Sequence, residues 1–262
     1  MNIVYFYSPS FCGMREEITF FDQLNASLYF NRRLFNKIII YSTVSVPKYI
    51  EEKVDKVIIL SVSSLESTHL NRVISWKEYS KSDDFDQDTI YADADIIFNN
   101  DFKEIINNNI FSLCFLASPS PKSFSCINAG IILLKHSNKD DIFLIFNKIL
   151  KIAKKIKNIA DPRFPSIGKS AIWGLDEMCL FNFFNDLIEK KNLPLRNYIE
   201  SLNLNFPDII KIDDKVSLMH LNYSIPSNKL ININDYKNYP SVHFSGVKGK
   251  ELLLKLFISS KK

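Results

Sequence analysis

Glycine is scarce, with six in 262 residues. A glycine-rich loop that cradles phosphate with bare backbone is therefore not expected. Cysteine is also sparse: Cys12, Cys114, Cys126 and Cys179. No pair has C-x-x-C spacing, so neither a zinc site nor a dithiol motif is readable. They read as reduced core thiols of a cytoplasmic protein. Long apolar runs are missing. Ala129–Leu134 and Ile142–Phe146 fall far below the ~18 residues of a membrane-spanning helix. The opening MNIVYFYSPSF has no basic stretch and too short an apolar run for a signal peptide. Charge of one sign is lacking too: 33 basic against 29 acidic residues leave +4. That argues against nucleic acid as a partner, which calls for a basic stripe.

What is present is ordinary for a globular chain: 46% hydrophobic and 24% charged residues. Phenylalanine is heavily used, at 21, which predicts a bulky core. At roughly 150 residues per domain the length allows one or two. No repeat and no linker-like shift divides it, so one domain over 1–262 is expected. Short apolar runs alternate with helical stretches, the pattern of an α/β fold. Strands are expected at Ile3–Tyr7, Lys37–Ser42, Val54–Val62, Phe111–Leu116, Cys126–Leu134 and Val242–Phe244. Thr89–Phe98 reads as a strand broken by a turn at its aspartates. Helices are expected at Glu16–Phe35, Leu70–Tyr79, Asp176–Lys191 and Lys250–Ile258. A further helix from Lys139 to about Lys157 would be capped by Asn138, with Asp140 and Asp141 in its first turn. The Ser/Pro stretch between the runs at 111–116 and 126–134 is long enough to cover a site.

Asp93-Ala94-Asp95 is the sharpest chemical feature. Residues i and i+2 of an extended segment share a face. Two carboxylates there offer hard oxygen ligands to Mg²⁺ or Mn²⁺. Solvated turn aspartates are the plain alternative. Apolar neighbours (Ile90, Tyr91, Ile96, Ile97, Phe98) favour an inner strand end, where ligands of open α/β sheets bind. His243-Phe244-Ser245-Gly246-Val247-Lys248 complements it. A neutral imidazole can complete a metal shell, Gly246 lets backbone approach a phosphate, and Lys248 can neutralise one. Asn128, ahead of Ala129-Gly130 and a strand, suits a hydrogen bond to a sugar hydroxyl. Asp176-Glu177 opens a helix after Trp173-Gly174. Each of the last three also has a structural reading: a core histidine, a turn asparagine, a favourably charged helix end.

These features, in this order, resemble the GT-A glycosyltransferases, and within them the family 8-like lipopolysaccharide or capsule type. Those enzymes carry a tyrosine-x-D-x-D run, here YADADIIF, and N-A-G before an apolar strand, here NAGIILLK. An Asp-Gln pair opens a helix, here Asp176-Glu177, and H-x-x-G-x-K closes the series, here HFSGVK. The resemblance covers Met1 to about Lys250. It implies a Rossmann-like mixed sheet flanked by helices, with a donor part over about 1–135 and an acceptor part over about 136–262. It implies that Asp93, Asp95 and His243 hold Mn²⁺ (or Mg²⁺) against the donor diphosphate, with Gly246 and Lys248 on the phosphates. Asn128 would meet the donor sugar, Arg72 would reach the donor, and Tyr7 and Ser8 would hold base and ribose. Asp176 and Glu177 would stand at the catalytic centre. The implied partners are a nucleotide-sugar donor, UDP-linked, and a glycan acceptor. The implied reaction retains anomeric configuration in lipopolysaccharide or capsule biosynthesis.

The chain departs from that pattern in places. Glu177 replaces the glutamine, Gly249-Lys250 replaces a proline-tryptophan, and the first loop lacks an aspartate for the base. A glutamate at 177 could act as a nucleophile or bind hydroxyls, and the helix N-terminus is expected to favour its ionised form. The tail interleaves Lys248, Lys250, Lys255, Lys261 and Lys262 with Leu252–Leu254, Leu256, Phe257 and Ile258. It reads either as a peripheral contact with the inner membrane face, serving a lipid-linked acceptor, or as a helix packed on the domain. A sugar-nucleotide nucleotidyltransferase and a non-catalytic carbohydrate-binding protein of the same fold are the competing readings. The first would want a glycine- and base-rich loop after the first strand, where SPSFCGMR stands.

Overall fold

The computed structural model describes residues 1–8, 19–62, 68–99, 102, 104, 106–107, 111–118, 126–156, 174–191, 193–230 and 232–261. Cys12, most of the Ser/Pro loop, Pro162, Pro165, Gly168, Trp173 and Lys262 lie outside the described residues. The first half runs β1 (Asn2–Tyr7), α1 (Phe20–Asn31), β2 (Lys37–Ser42), α2 (Lys48–Glu51), β3 (Lys56–Ile59), α3 (Thr68–Lys81), β4 (Thr89–Ala92) and β5 (Ile96–Phe98). The second runs β6 (Leu113–Ala117), β7 (Ile127–Leu134), α4 (Lys139–Ile156), α5 (Leu175–Ile188), α6 (Leu195–Ser201), β8 (Ile209–Lys211), β9 (Val216–His220), β10 (Ile225–Pro226), β11 (Ser241–His243) and α7 (Gly246–Ser259).

An eight-stranded mixed sheet has the order β3-β2-β1-β4-β7-β6-β9-β8. Strands β1, β2, β3 and β4 pair in parallel, and β7 runs antiparallel to both β4 and β6. The inner strands β2 and β4 are continuously apolar or buried because helices cover both faces. One face carries a core around Trp76, Phe115, Phe146 and Phe184, covered by α3, α4 and α5. The other carries Tyr5, Leu24, Ile40 and Met219. A three-stranded sheet, β10-β11-β5, lies beside α1 and α7. Cys114, Cys126 and Cys179 are buried free thiols, as expected.

Boundaries moved for local reasons. Thr19 and Asp22 form a reciprocal capping box, so α1 starts at Phe20 rather than Glu16. β3 is four residues long, not nine, because it pairs with only the last four of β2 and is the sheet's edge. Asn138 does not simply cap α4: it closes a 3₁₀ turn, and its amide donates to Ser112 Oγ at 2.8 Å. The tail forms α7, and most of its apolar face is covered, with Ile258 exposed. Leu253, Leu256 and Phe257 are buried with Ala26 of α1 and Val242 of β11. These side chains are not free to enter a bilayer. Among the described residues no helix is long and apolar enough to cross one.

Candidate active site

Parallel β1 and β4 end side by side, and β7, running the other way, begins there. Three segments therefore converge at one sheet edge: the turn after β4, the start of β7, and the first turn of α5. The Asp93-Ala94-Asp95 turn is clamped from behind. Ser27 Oγ of α1 donates to the Ala94 carbonyl at 2.6 Å. Asn31, fully buried, donates to the Ile96 carbonyl at 2.8 Å and accepts from Phe98 N at 2.9 Å. The antiparallel pairing of β11 with β5 sets His243 opposite Ile96. Phe244 N then donates to the Asp95 carbonyl at 2.8 Å.

Ligand atoms of Asp93, Asp95 and His243 lie within 4.8 Å of one another. An ion holding oxygen ligands at about 2.1 Å spaces them within about 4 Å, so small side-chain shifts would close the set. Two carboxylates and one imidazole are also a suitable donor mix for Mn²⁺ or Mg²⁺. His243 Nε2 stands 3.2 Å from Asp95 Oδ1. Burial acts against the charge on both partners, but their mutual attraction wins. It lifts His243 above its ordinary value and holds Asp95 below its own.

Arg72 on α3 ties this turn to the other two segments. Its Nη2 donates to Asp93 Oδ1 at 2.6 Å and to the Ala129 carbonyl at 2.8 Å, and its Nη1 to Asp176 Oδ2 at 3.1 Å. Asp176 Oδ1 also lies 2.9 Å from His69 Nδ1 and accepts from Glu177 N at 3.0 Å. Burial would raise Asp176, but His69 and Arg72 outweigh it and hold the carboxyl well below the usual range. It is thus an ionised, fully engaged group.

The start of β7 depends on an irregularity. Pairing with β6 jumps from Phe115↔Ile132 to Leu116↔Asn128, so Ala129, Gly130 and Ile131 have no β6 partner. Gly130 O instead receives Asp93 N at 2.9 Å. A Cβ at Gly130 would lie 2.8 Å from Asn128 Oδ1 and 3.0 Å from Asp93 Oδ2. Glycine is required here by close approach. Gly130→Ala is expected to push both side chains out of place and cost about 1–3 kcal/mol. Thermal denaturation, with a divalent-metal binding titration beside it, checks this.

Asn128 Oδ1 accepts from Gly130 N at 2.7 Å, and its Nδ2 donates to Glu177 Oε1 at 3.1 Å. Glu177 departs from expectation. Burial, reinforced by the charges of Asp176 and Asp93, pushes it up to about 8. The helix N-terminus does not keep it ionised.

The remaining site residues are spread around this centre. Gly246 opens α7 with φ of 69° and open space around its Cα. Lys248 is exposed. Lys250, half-buried and on the Gly246 face one turn later, acts on both Asp95 and His243. Tyr7 packs between Phe20 and Phe21, with ring centroids at 4.6 and 4.4 Å. Ser8 is buried and accepts from Thr43 and Thr68 hydroxyls. Sequence reasoning missed His69 and Lys250. His69 sits three residues before Arg72, hence on the same helix face, and that spacing could have revealed it.

No protein-family model matches the chain, and no curated protein matches its sequence. Solved structures do. The galactosyltransferase LgtC, in complex with donor and acceptor sugar analogs, aligns at 11% identity and a TM-score of 0.53 over 99% of this chain and 96% of its own. The glycosyltransferase GlyE of Streptococcus pneumoniae TIGR4 aligns at 12% identity and a TM-score of 0.50, and this chain spans 63% of it. A 4-diphosphocytidyl-2C-methyl-D-erythritolsynthase from Anaerococcus prevotii DSM 20548 aligns at 14% identity and 0.45, over 99% and 98%. The fold is the mixed α/β architecture of GT-A glycosyltransferases.

Proposed function

We propose that this chain is a metal-dependent, family 8-like glycosyltransferase. It moves a sugar from a nucleotide-sugar donor, UDP-linked, to a hydroxyl of a glycan acceptor in surface polysaccharide or lipooligosaccharide synthesis. The observation that carries the reading is the Asp93, Asp95 and His243 cluster at the strand ends. Mn²⁺ or Mg²⁺ held there would supply positive charge to the departing diphosphate.

The chain's own residues do the rest. Gly246 bares the first turn of α7, whose free N–H groups favour an anion. Lys248 and Lys250 add positive charge beside it. Residues after 240 thus serve the donor as much as those before 135. Arg72 keeps Asp93 aimed, and Tyr7 with its aromatic neighbours offers a face for the base. Asn128 and Glu177 hydrogen-bond sugar oxygens. Asp176 is held by His69 and Arg72 and is not free to attack carbon. Glu177 is held neutral, which favours hydrogen bonding over the covalent role. Retention then proceeds without a carboxylate nucleophile. The protein acts in the cytoplasm, on a lipid-linked or free glycan.

Incubation with a panel of nucleotide sugars and Mn²⁺ tests this. Slow release of nucleoside diphosphate from one donor, abolished by chelator and increased by an acceptor glycan, is the expected result. Incorporation of a nucleotide into a sugar phosphate instead would establish the nucleotidyltransferase reading.

A further inference from the structure

Gly130 N–H settles which way Asn128 faces. That amide hydrogen is taken up by Oδ1 at 2.7 Å, so the nitrogen Nδ2 must point to Glu177. Glu177 Oε1 therefore acts as an acceptor. Its carboxyl is largely enclosed beside Asp176, the residue before it on α5. Among the described residues, charged and titratable groups surround it from several elements. From α3 come His69 and Arg72, from the turn after β4 Asp93, and from α5 itself Asp176. The charges of Glu177 and of Arg196 on α6 both act on Cys126, near the start of β7.

The one guanidinium of this set is already engaged without Glu177. Arg72 is shared between Asp93 and Asp176, and His69 is bonded to Asp176. Among the described residues no cation lies within ion-pair distance of Glu177. A third carboxylate in this half-buried position would add an unpaired negative charge.

We propose that Glu177 works as a neutral carboxylic acid, with Oε1 accepting from Asn128 and Oε2–H donating to a sugar oxygen of donor or acceptor. It would offer the two functions of an amide, one acceptor and one donor, from the same position. No bond to carbon forms. The contact is lost when the proton leaves, which makes this glutamate a proton-gated recognition residue. The upward push on Glu177 from burial and from Asp176 acts in the same direction. The ligand's identity as a sugar rests on the transferase reading; the state of the proton does not.

Chemical denaturation of the full, metal-free chain from pH 6 to 9 tests the proton, with Glu177→Gln alongside. The sign follows from linkage: a group raised in the fold contributes stability below its unfolded value, lost as pH rises through the folded one. With 4.5 in the unfolded chain and about 8 in the fold, the wild type should lose about a hundredfold in folding equilibrium constant across that range. The glutamine variant should not share that loss. An infrared carbonyl band of a protonated carboxyl at pH 7, absent from the variant, is the second readout. Parallel stability curves and no such band would overturn the proposal. Donor turnover forms a separate arm, measured with Mn²⁺. Glutamine should retain it within a few-fold and remove its alkaline decline. A loss of 10³-fold or more would instead make Glu177 a nucleophile. Absence of turnover in both proteins, with divergent stability curves, would sink the transferase reading and leave the proton in place.

Discussion

Asp95→Asn is expected to lower metal-dependent donor turnover by on the order of 10³-fold, a barrier rise of about 4 kcal/mol. Melting temperature should move by only a few degrees. Asparagine keeps the volume but replaces a charged oxygen ligand by a neutral amide, a poor partner for a hard cation. The turn itself does not depend on that carboxylate. It is held by Ser27 on the Ala94 carbonyl, by Asn31 on Ile96 and Phe98, and by Phe244 N on the Asp95 carbonyl. Attraction to His243 outweighs burial in favouring the ionised form of Asp95, but the desolvation relieved by asparagine offsets part of that loss. Nucleoside diphosphate release and thermal denaturation, run on the same preparation, check both halves. Full turnover by the variant would contradict the site.

Arg72→Met should act in the opposite proportion, on the fold first. Arg72 is 8% exposed, and its guanidinium satisfies Asp93, Asp176 and the Ala129 carbonyl together. Methionine fills the volume but takes the ion pair from Asp93 and one of several partners from Asp176, a loss of about 3–5 kcal/mol. That corresponds to roughly 10 °C in a chain of this size. The pH dependence has a definite sign. Asp176 is held below its ordinary value in the fold, so it contributes stability above that value that is lost as pH falls through its folded one. The variant lacks the Arg72 share of this contribution, while the larger His69 share remains. Its deficit should be widest near neutrality and shrink below about pH 4. Denaturation curves at several pH values check it; a constant deficit would mean that packing rather than charge is lost.

Much of this site was legible in the sequence, for reasons that differ by residue. Asp93 and Asp95 stood out because an apolar run on both sides favours an inner strand end over solvated turn aspartates. The β2 run, KIIIYS, announced a doubly covered strand through its lack of alternation. His243 gained weight in the sequence only as a complement to the aspartates; its approach to Asp95 comes from an antiparallel pairing across more than 140 residues of chain. The bridge made by Arg72, and the His69 contact behind Asp176, depend on how α3 rotates against α5. Periodicity shows which face is buried but not which polar groups meet on it. Glu177 shows the limit most clearly. Its place at a helix opening predicted an ionised group, whereas burial beside Asp176 reversed that. The α7 tail read equally as a membrane contact or a packed helix; Leu253, Leu256 and Phe257 are packed on the domain, while Ile258 is exposed.

Calorimetric titration of the full chain with its nucleotide-sugar donor, in Mn²⁺ and then in chelator, tests the central claim most directly. If Asp93, Asp95 and His243 hold a cation against the diphosphate, affinity should improve at least tenfold with metal, about 1.4 kcal/mol. Asp95→Asn should erase that difference. Equal affinity with and without metal, unchanged by the substitution, would contradict it.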